Sequence, residues 1–132
     1  MDGSSEFMLH LDIEPGIQMR SDKRRIKVVL SNIISNAIKY QDKNKPERSL
    51  QLKFQNMNNG IEIIAKDNGI GISENNLEHI FEMFYRATSL STGSGLGLYI
   101  VKETVDKLGG TIDVCSTPAE GSTFTLFIPN IA

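Results

Sequence analysis

The chain has 132 residues, 39% of them apolar and 23% charged, with a formal net charge of -2. That length suits one domain, able to bury about two-thirds of the surface its unfolded chain would expose. The near-neutral balance gives no electrostatic case for nucleic acid or an anionic membrane as partner, and no apolar run approaches the ~20 residues that span a bilayer. The single cysteine, Cys115, excludes an internal disulfide and fits a reducing, cytoplasmic compartment; its expected place is that of a small buried strand residue.

The start lacks the basic-then-apolar pattern of a secretory leader. Residues 1–7 (Met1-Asp2-Gly3-Ser4-Ser5-Glu6-Phe7) read as an appended cloning remnant, leaving residues 8–132 as the domain. Residues 7–13 and 17–20 each alternate apolar and polar side chains about a turn at Pro15-Gly16, which predicts a hairpin or a pair of short strands. Ser21-Asp22 offers an N-cap for a helix over 23–40. Within it, Ile26, Val29, Leu30, Ile33, Ile34, Ala37 and Ile38 recur with helical period and form one apolar face. The spacing next predicts strands at 50–54 and 61–65 about an Asn58-Asn59-Gly60 turn, then a short helix over 74–84. A helix over 98–108 follows, with Leu98, Val101, Val105 and Leu108 on one side and Gly109-Gly110 to stop it. Strands at 111–116 and 122–128 close the chain. Helices interspersed with antiparallel strand pairs fit an α/β (α+β) two-layer sandwich with the helices on one face of a sheet.

Three patterns carry chemistry. Asn32, Asn36 and Lys39 are four and three residues apart, so they share one polar stripe of the long helix. Two asparagines in mid-helix are unfavourable, which asks for an offsetting role. An amide oxygen is a hard ligand for Mg²⁺, and lysine is a point charge for phosphate; a solvated helix face is the simpler reading of the spacing alone. Asp67-Asn68-Gly69-Ile70-Gly71 sets a carboxylate at a strand end, ready to accept from an exocyclic amine, with glycines that admit a ligand close to the backbone. A plain turn is the simpler reading, and a calcium loop lacks its further acids. Gly93-Ser94-Gly95-Leu96-Gly97 opens the second helix, where free backbone N–H groups attract phosphate. It matches neither a dinucleotide fingerprint nor a Walker A loop.

Taken in order, these segments resemble the ATP-binding catalytic domain of histidine kinases, in the superfamily that includes gyrase, the Hsp90 chaperones and MutL. Asn32 to Tyr40 resembles the N box, Asp67 to Gly71 the G1 box, and Phe81-Glu82-Met83-Phe84-Tyr85-Arg86 the F box. Gly93 to Lys102 resembles the G2 box, and Gly121-Ser122-Thr123-Phe124 the closing glycine-threonine turn. The resemblance covers residues 8–128. It implies the Bergerat fold, a mixed five-stranded sheet backed by three helices. It also implies binding of ATP or ADP with Mg²⁺, and transfer of the γ-phosphoryl group to a histidine of a two-component sensor kinase. By the same resemblance, Asn36 coordinates Mg²⁺, Asn32 lies near the phosphates, Lys39 and Arg86 contact phosphate, and Tyr40 flanks the nucleotide. Asp67 accepts from the adenine amine, and Gly69 and Gly71 line the base pocket. Gly93, Ser94, Gly95, Leu96 and Gly97 hold the phosphates and hinge a mobile lid over 87–94, with Thr123 in the closing turn.

Two departures narrow the expectation. The gyrase-like and Hsp90-like ATPases carry a glutamate base four residues before the metal asparagine; here that position is Asn32. A neutral amide cannot take a proton from water, so the pattern favours transfer over hydrolysis. The acceptor motif itself is missing: His10 lies in a predicted strand and His79 in the F-box helix, and neither has the acceptor context. The expected partners are therefore the nucleotide, the histidine-bearing helical hairpin of a parent kinase and, indirectly, a response regulator, with the isolated domain monomeric. A serine kinase of the anti-sigma-factor type and a pure nucleotide-binding module are the competing readings.

Overall fold

The computed structural model describes residues 7–83, 85 and 96–131. Arg86, Gly93, Ser94 and Gly95, and the expected lid over 87–94, lie outside the described residues. The element order is β1 (Phe7–Ile13), α1 (Lys23–Lys39), β2 (Arg48–Met57), β3 (Gly60–Asp67), α2 (Glu74–Leu77), α3 (Gly97–Lys107), β4 (Thr111–Thr117) and β5 (Gly121–Pro129). The strands form one sheet in the order β1-β2-β3-β5-β4. β1 runs parallel to β2 and every other pair is antiparallel, so the sheet is mixed.

Strand parity explains the two layers. Leu50 and Leu52 of β2, Ile61, Ile63 and Ala65 of β3, and Phe124, Leu126 and Ile128 of β5 are buried on one face. Onto that face α1 lays Ile26, Val29, Ile33 and Ala37, and α3 lays Val101 and Val105. Each large side chain fully buried there contributes about 1.5–3 kcal/mol. Ile38 is the exception in the expected helical stripe: it sits at its edge and is exposed. The helix starts as the sequence predicts, with Asp22 Oδ1 accepting from the Arg24 and Arg25 N–H groups at 3.0 and 3.3 Å. It ends one residue earlier than expected, with Tyr40 as its cap. α2 is shorter than the spacing predicts, giving way to turns after Leu77.

The expected hairpin at 7–20 does not form. β1 instead pairs with β2 across the whole of α1, and Glu14 N–H continues that ladder to Phe54 C=O at 3.0 Å. Residues 17–20 alternate because Ile17 and Met19 pack against the core from an irregular segment. The pairing begins at Phe7, which lies opposite Arg48 and packs on the core, one residue inside the segment read as appended. Cys115 is also misplaced by the sequence reading. It is exposed, because β4 is an edge strand whose Ile112 and Val114 face the core and whose alternate residues point outward.

Candidate functional site

The last turns of α1, the end of β3, α2 and the start of α3 surround one cleft of about 980 Å³, its open mouth included. α1 contributes Asn32, Ser35, Asn36, Lys39 and its cap Tyr40 as one wall, because these positions share a helical face. Asn32 Nδ2 donates to Val28 C=O at 2.8 Å, which fixes the amide and leaves its Oδ1 toward α3. A methyl group built on Gly97 would stand 3.5 Å from that oxygen, so the two helices meet here across a glycine. The half-buried Asn36 side chain has no hydrogen-bond partner among the described residues.

Asp67, the last residue of β3, also lines the cleft. Its Oδ1 accepts from Gly69 N–H at 2.8 Å and Ser122 N–H at 3.3 Å. Its Oδ2 has no donor among the described residues, although the residue lines the cleft. Burial pushes the Asp67 carboxyl above its ordinary range, while the two N–H groups and the Lys45 cation pull it back. Ile70, Ile72, Ile80 and Leu98 add apolar lining, and Ser73, Asn76 and Tyr85 add polar groups. The Tyr85 hydroxyl donates to Asn76 Oδ1. A cleft lined by apolar side chains together with a carboxylate, two asparagine amides and a lysine suits a molecule that carries both an aromatic group and an anionic one.

The glycines work through close approach. Gly71 has φ +75°, and a Cβ there would lie 2.2 Å from Thr117 C=O. Gly69 does not line the cleft; it lets the loop sit against Tyr40 C=O, which accepts from Ile70 N–H at 3.1 Å. Asn32, Asn36, Lys39, Tyr40, Asp67, Gly71 and Gly97 therefore come together as expected. Leu96 stands at the α3 cap, outside the lining. Thr123 points to the opposite face of β5, into a shallow depression beside Lys66 and Cys115. The β5 residue in the cleft is Ser122, which the alternation through Phe124, Leu126 and Ile128 could have located. Ser73 and Asn76 carried no recognisable signal, and Tyr85 stands within the F-box resemblance without having been singled out. His10 is exposed on β1, and the half-buried His79 holds Glu82 Oε2 at 2.6 Å through Nδ1.

The family described as histidine kinase-, DNA gyrase B-, and HSP90-like ATPase matches residues 21–131. The autoinducer 2 sensor kinase/phosphatase LuxQ of Vibrio vulnificus (strain CMCP6) is 45% identical over 129 residues, 93% of this chain and 15% of that protein. The signal transduction histidine-protein kinase AfsQ2 of Streptomyces coelicolor is 38% identical over 122 residues, 90% of this chain and 22% of that protein. The chain thus spans only a small part of these curated relatives. The solved structure of the mycobacterial sensor histidine kinase MprB aligns with a TM-score of 0.78 at 26% identity, covering 93% of this chain and 81% of that one. With the cleft residues in family order and brought together in space, the chain belongs to the histidine kinase-, DNA gyrase B-, and HSP90-like ATPase family.

Proposed function

We propose that this domain binds ATP with Mg²⁺ and donates the γ-phosphoryl group to a histidine on a separate helical hairpin of a two-component sensor kinase. The observation that carries the reading is Asp67: the fold holds one carboxylate oxygen and leaves the other to a donor in the cleft. An adenine amine is such a donor, and Ile70, Ile80 and Leu98 supply apolar surface for the ring. Lys39 and the free N–H groups of the first α3 turn then face the phosphates.

Among the described residues, no three of His, Cys, Asp and Glu gather to hold a metal. That fits Mg²⁺, which needs few protein ligands when phosphate oxygens and water complete its shell. Asn36, with its side chain uncommitted to the fold, would hold it, and Asn32 would stand beside it. When bound, Mg²⁺ neutralises phosphate charge. Asn32, tied to Val28 C=O, offers no base to water. The residues of the chain therefore position the nucleotide and leave the nucleophile to the acceptor histidine. The relatives' names as sensor kinases support the same reading.

The isolated chain, given ATP radiolabelled at the γ-phosphate, is expected not to label itself and to hydrolyse ATP very slowly. A histidine-bearing hairpin of a sensor kinase added in trans becomes labelled, weakly, with an acid-labile and alkali-stable product. Asn36→Ala abolishes the transfer. An acid-stable product on a partner would support the serine-kinase reading instead, and rapid hydrolysis without acceptor would place the chain with the ATPase relatives.

A further inference from the structure

We propose that Lys45 is a positioning residue for base recognition, acting on Asp67 through the single peptide group that joins Asn68 to Gly69. The inference rests on the adenine reading of Asp67. Lys45 Nζ donates to Asn68 C=O at 2.8 Å and to Glu120 C=O at 3.4 Å. The N–H on the other side of the same peptide is that of Gly69, which donates to Asp67 Oδ1 at 2.8 Å. A cation on the oxygen of an amide draws electron density toward that end and makes its N–H a stronger donor. The lysine charge is thus relayed through one amide to the carboxylate that faces the cleft.

Lys45 sits on a loop built to aim it. Arg48 Nε and Nη2 donate to Lys45 C=O and Lys43 C=O at 3.3 and 3.2 Å. Lys45 N–H itself donates to Asp42 C=O at 3.1 Å. Asn68 fastens the loop from the other side, its Nδ2 donating to Glu47 C=O at 2.7 Å and its Oδ1 accepting from Ser49 N–H at 2.9 Å. The lysine therefore ties together three segments: the loop after α1, the loop after β3 and the β4–β5 turn. The charged and titratable side chains that line the two depressions with Asp67 are Lys39, Tyr40, Tyr85, Lys66, Cys115 and Glu120, with Lys45 and Arg48 on the adjoining loop; Lys45 is a cation that lowers the Asp67 pKa.

The test uses the whole chain and Mg-ADP as probe, with calorimetric titration across mildly acidic to mildly alkaline pH. Four single variants, Lys45→Met, Lys45→Gln, Lys45→Arg and Asp67→Asn, are compared together with the Lys45→Met, Asp67→Asn double variant. Lys45→Met is expected to weaken ADP roughly 5- to 20-fold, the worth of one charge-assisted hydrogen bond relayed incompletely. Lys45→Gln keeps a donor without charge and is expected to fall between Met and wild type. In both, the acidic edge of the affinity profile moves to higher pH; Lys45→Arg restores the edge and most of the affinity. In an Asp67→Asn background, Lys45→Met is expected to add little. Thermal melts establish that each variant is folded, and the Arg and Gln pair decides the matter should Met fail to fold. If Asp67→Asn weakens ADP but Lys45→Met and Lys45→Gln bind as wild type with an unmoved edge, Lys45 has no such role. Equal ADP affinity in Asp67→Asn and wild type would remove the adenine reading and this inference together.

Discussion

Asp67 is held by the fold through one oxygen and offered to a ligand through the other, and these two tasks pull its chemistry in opposite directions. Burial raises its pKa, so the folded chain holds this proton more tightly than the unfolded chain does. Stability tied to this group is accordingly greatest below the unfolded pKa and falls as pH rises through the folded one. Asp67→Asn removes that penalty and keeps an oxygen for Gly69 and Ser122. Its melting temperature relative to wild type is expected to rise with pH across the range where Asp67 ionises in the fold, then level off, in calorimetric scans at a series of pH values. The same variant is expected to lose about 1.5–3 kcal/mol of ATP affinity, roughly 10- to 150-fold, by titration calorimetry. A residue that costs stability and supports binding is the signature of a site rather than of a core. Gly121 shows the opposite balance. It has φ +131°, and a Cβ there would stand 2.0 Å from Asp67 C=O. Gly121→Ala is expected to destabilise the domain by about 3 kcal/mol or more in denaturant unfolding, and to disturb Asp67 as it does so.

At the level of elements, α1 was the most legible part of the sequence. Its apolar period and its Asp22 cap are local signals, and both survive in the structure apart from Ile38. β1 was the least legible. Its alternation correctly marked a strand, but a parallel partner more than thirty residues away leaves no trace in a local window, so the nearby Pro15-Gly16 turn suggested a hairpin. The site divides along the same line. Asn32, Asn36, Asp67 and Gly71, which helix spacing and a short motif single out, line the cleft; Thr123 was chosen over Ser122 because a motif does not state strand parity. Lys45 was passed over because the polar loop that aims it has no period. β1 also carries a physical liability. Leu9, Leu11 and Ile13 share the parity of buried Leu50 and Leu52, yet remain 44%, 60% and 52% exposed on an edge strand. Leu11→Lys is expected to raise solubility in light-scattering assays while changing the melting temperature little, because edge charges oppose strand-to-strand association. By contrast, Val101→Ala on α3, at a side chain with no exposure, is expected to cost about 2 kcal/mol.

For the whole molecule, ligand and fold are linked because the cleft is assembled from α1, β3, α2, α3 and β5 together. Mg-ADP at a hundred times its dissociation constant is expected to add roughly 2.7 kcal/mol to unfolding, raising the melting temperature by roughly 10 °C in a scan; Asp67→Asn at the same concentration is expected to show a smaller rise. No helix among the described residues is long and apolar enough to cross a membrane.

The pairing of β3 with β5 has a further consequence, for the order in which the chain acquires its activity. β2 with β3 and β4 with β5 are hairpins that can close early from neighbouring residues. Joining them is a late, long-range event that sets Ile63 opposite Leu126 and Asp67 opposite Ser122. Slippage of that junction by one residue would turn Phe124, Leu126 and Ile128 away from the helices and also withdraw the Ser122 N–H from Asp67. The core and the cleft carboxylate therefore share one alignment check. During refolding, the capacity to bind ADP is expected to appear together with amide protection of β3 and β5, after protection of the two hairpin turns. A chain that binds ADP has thereby reported that its two halves have met in the correct register.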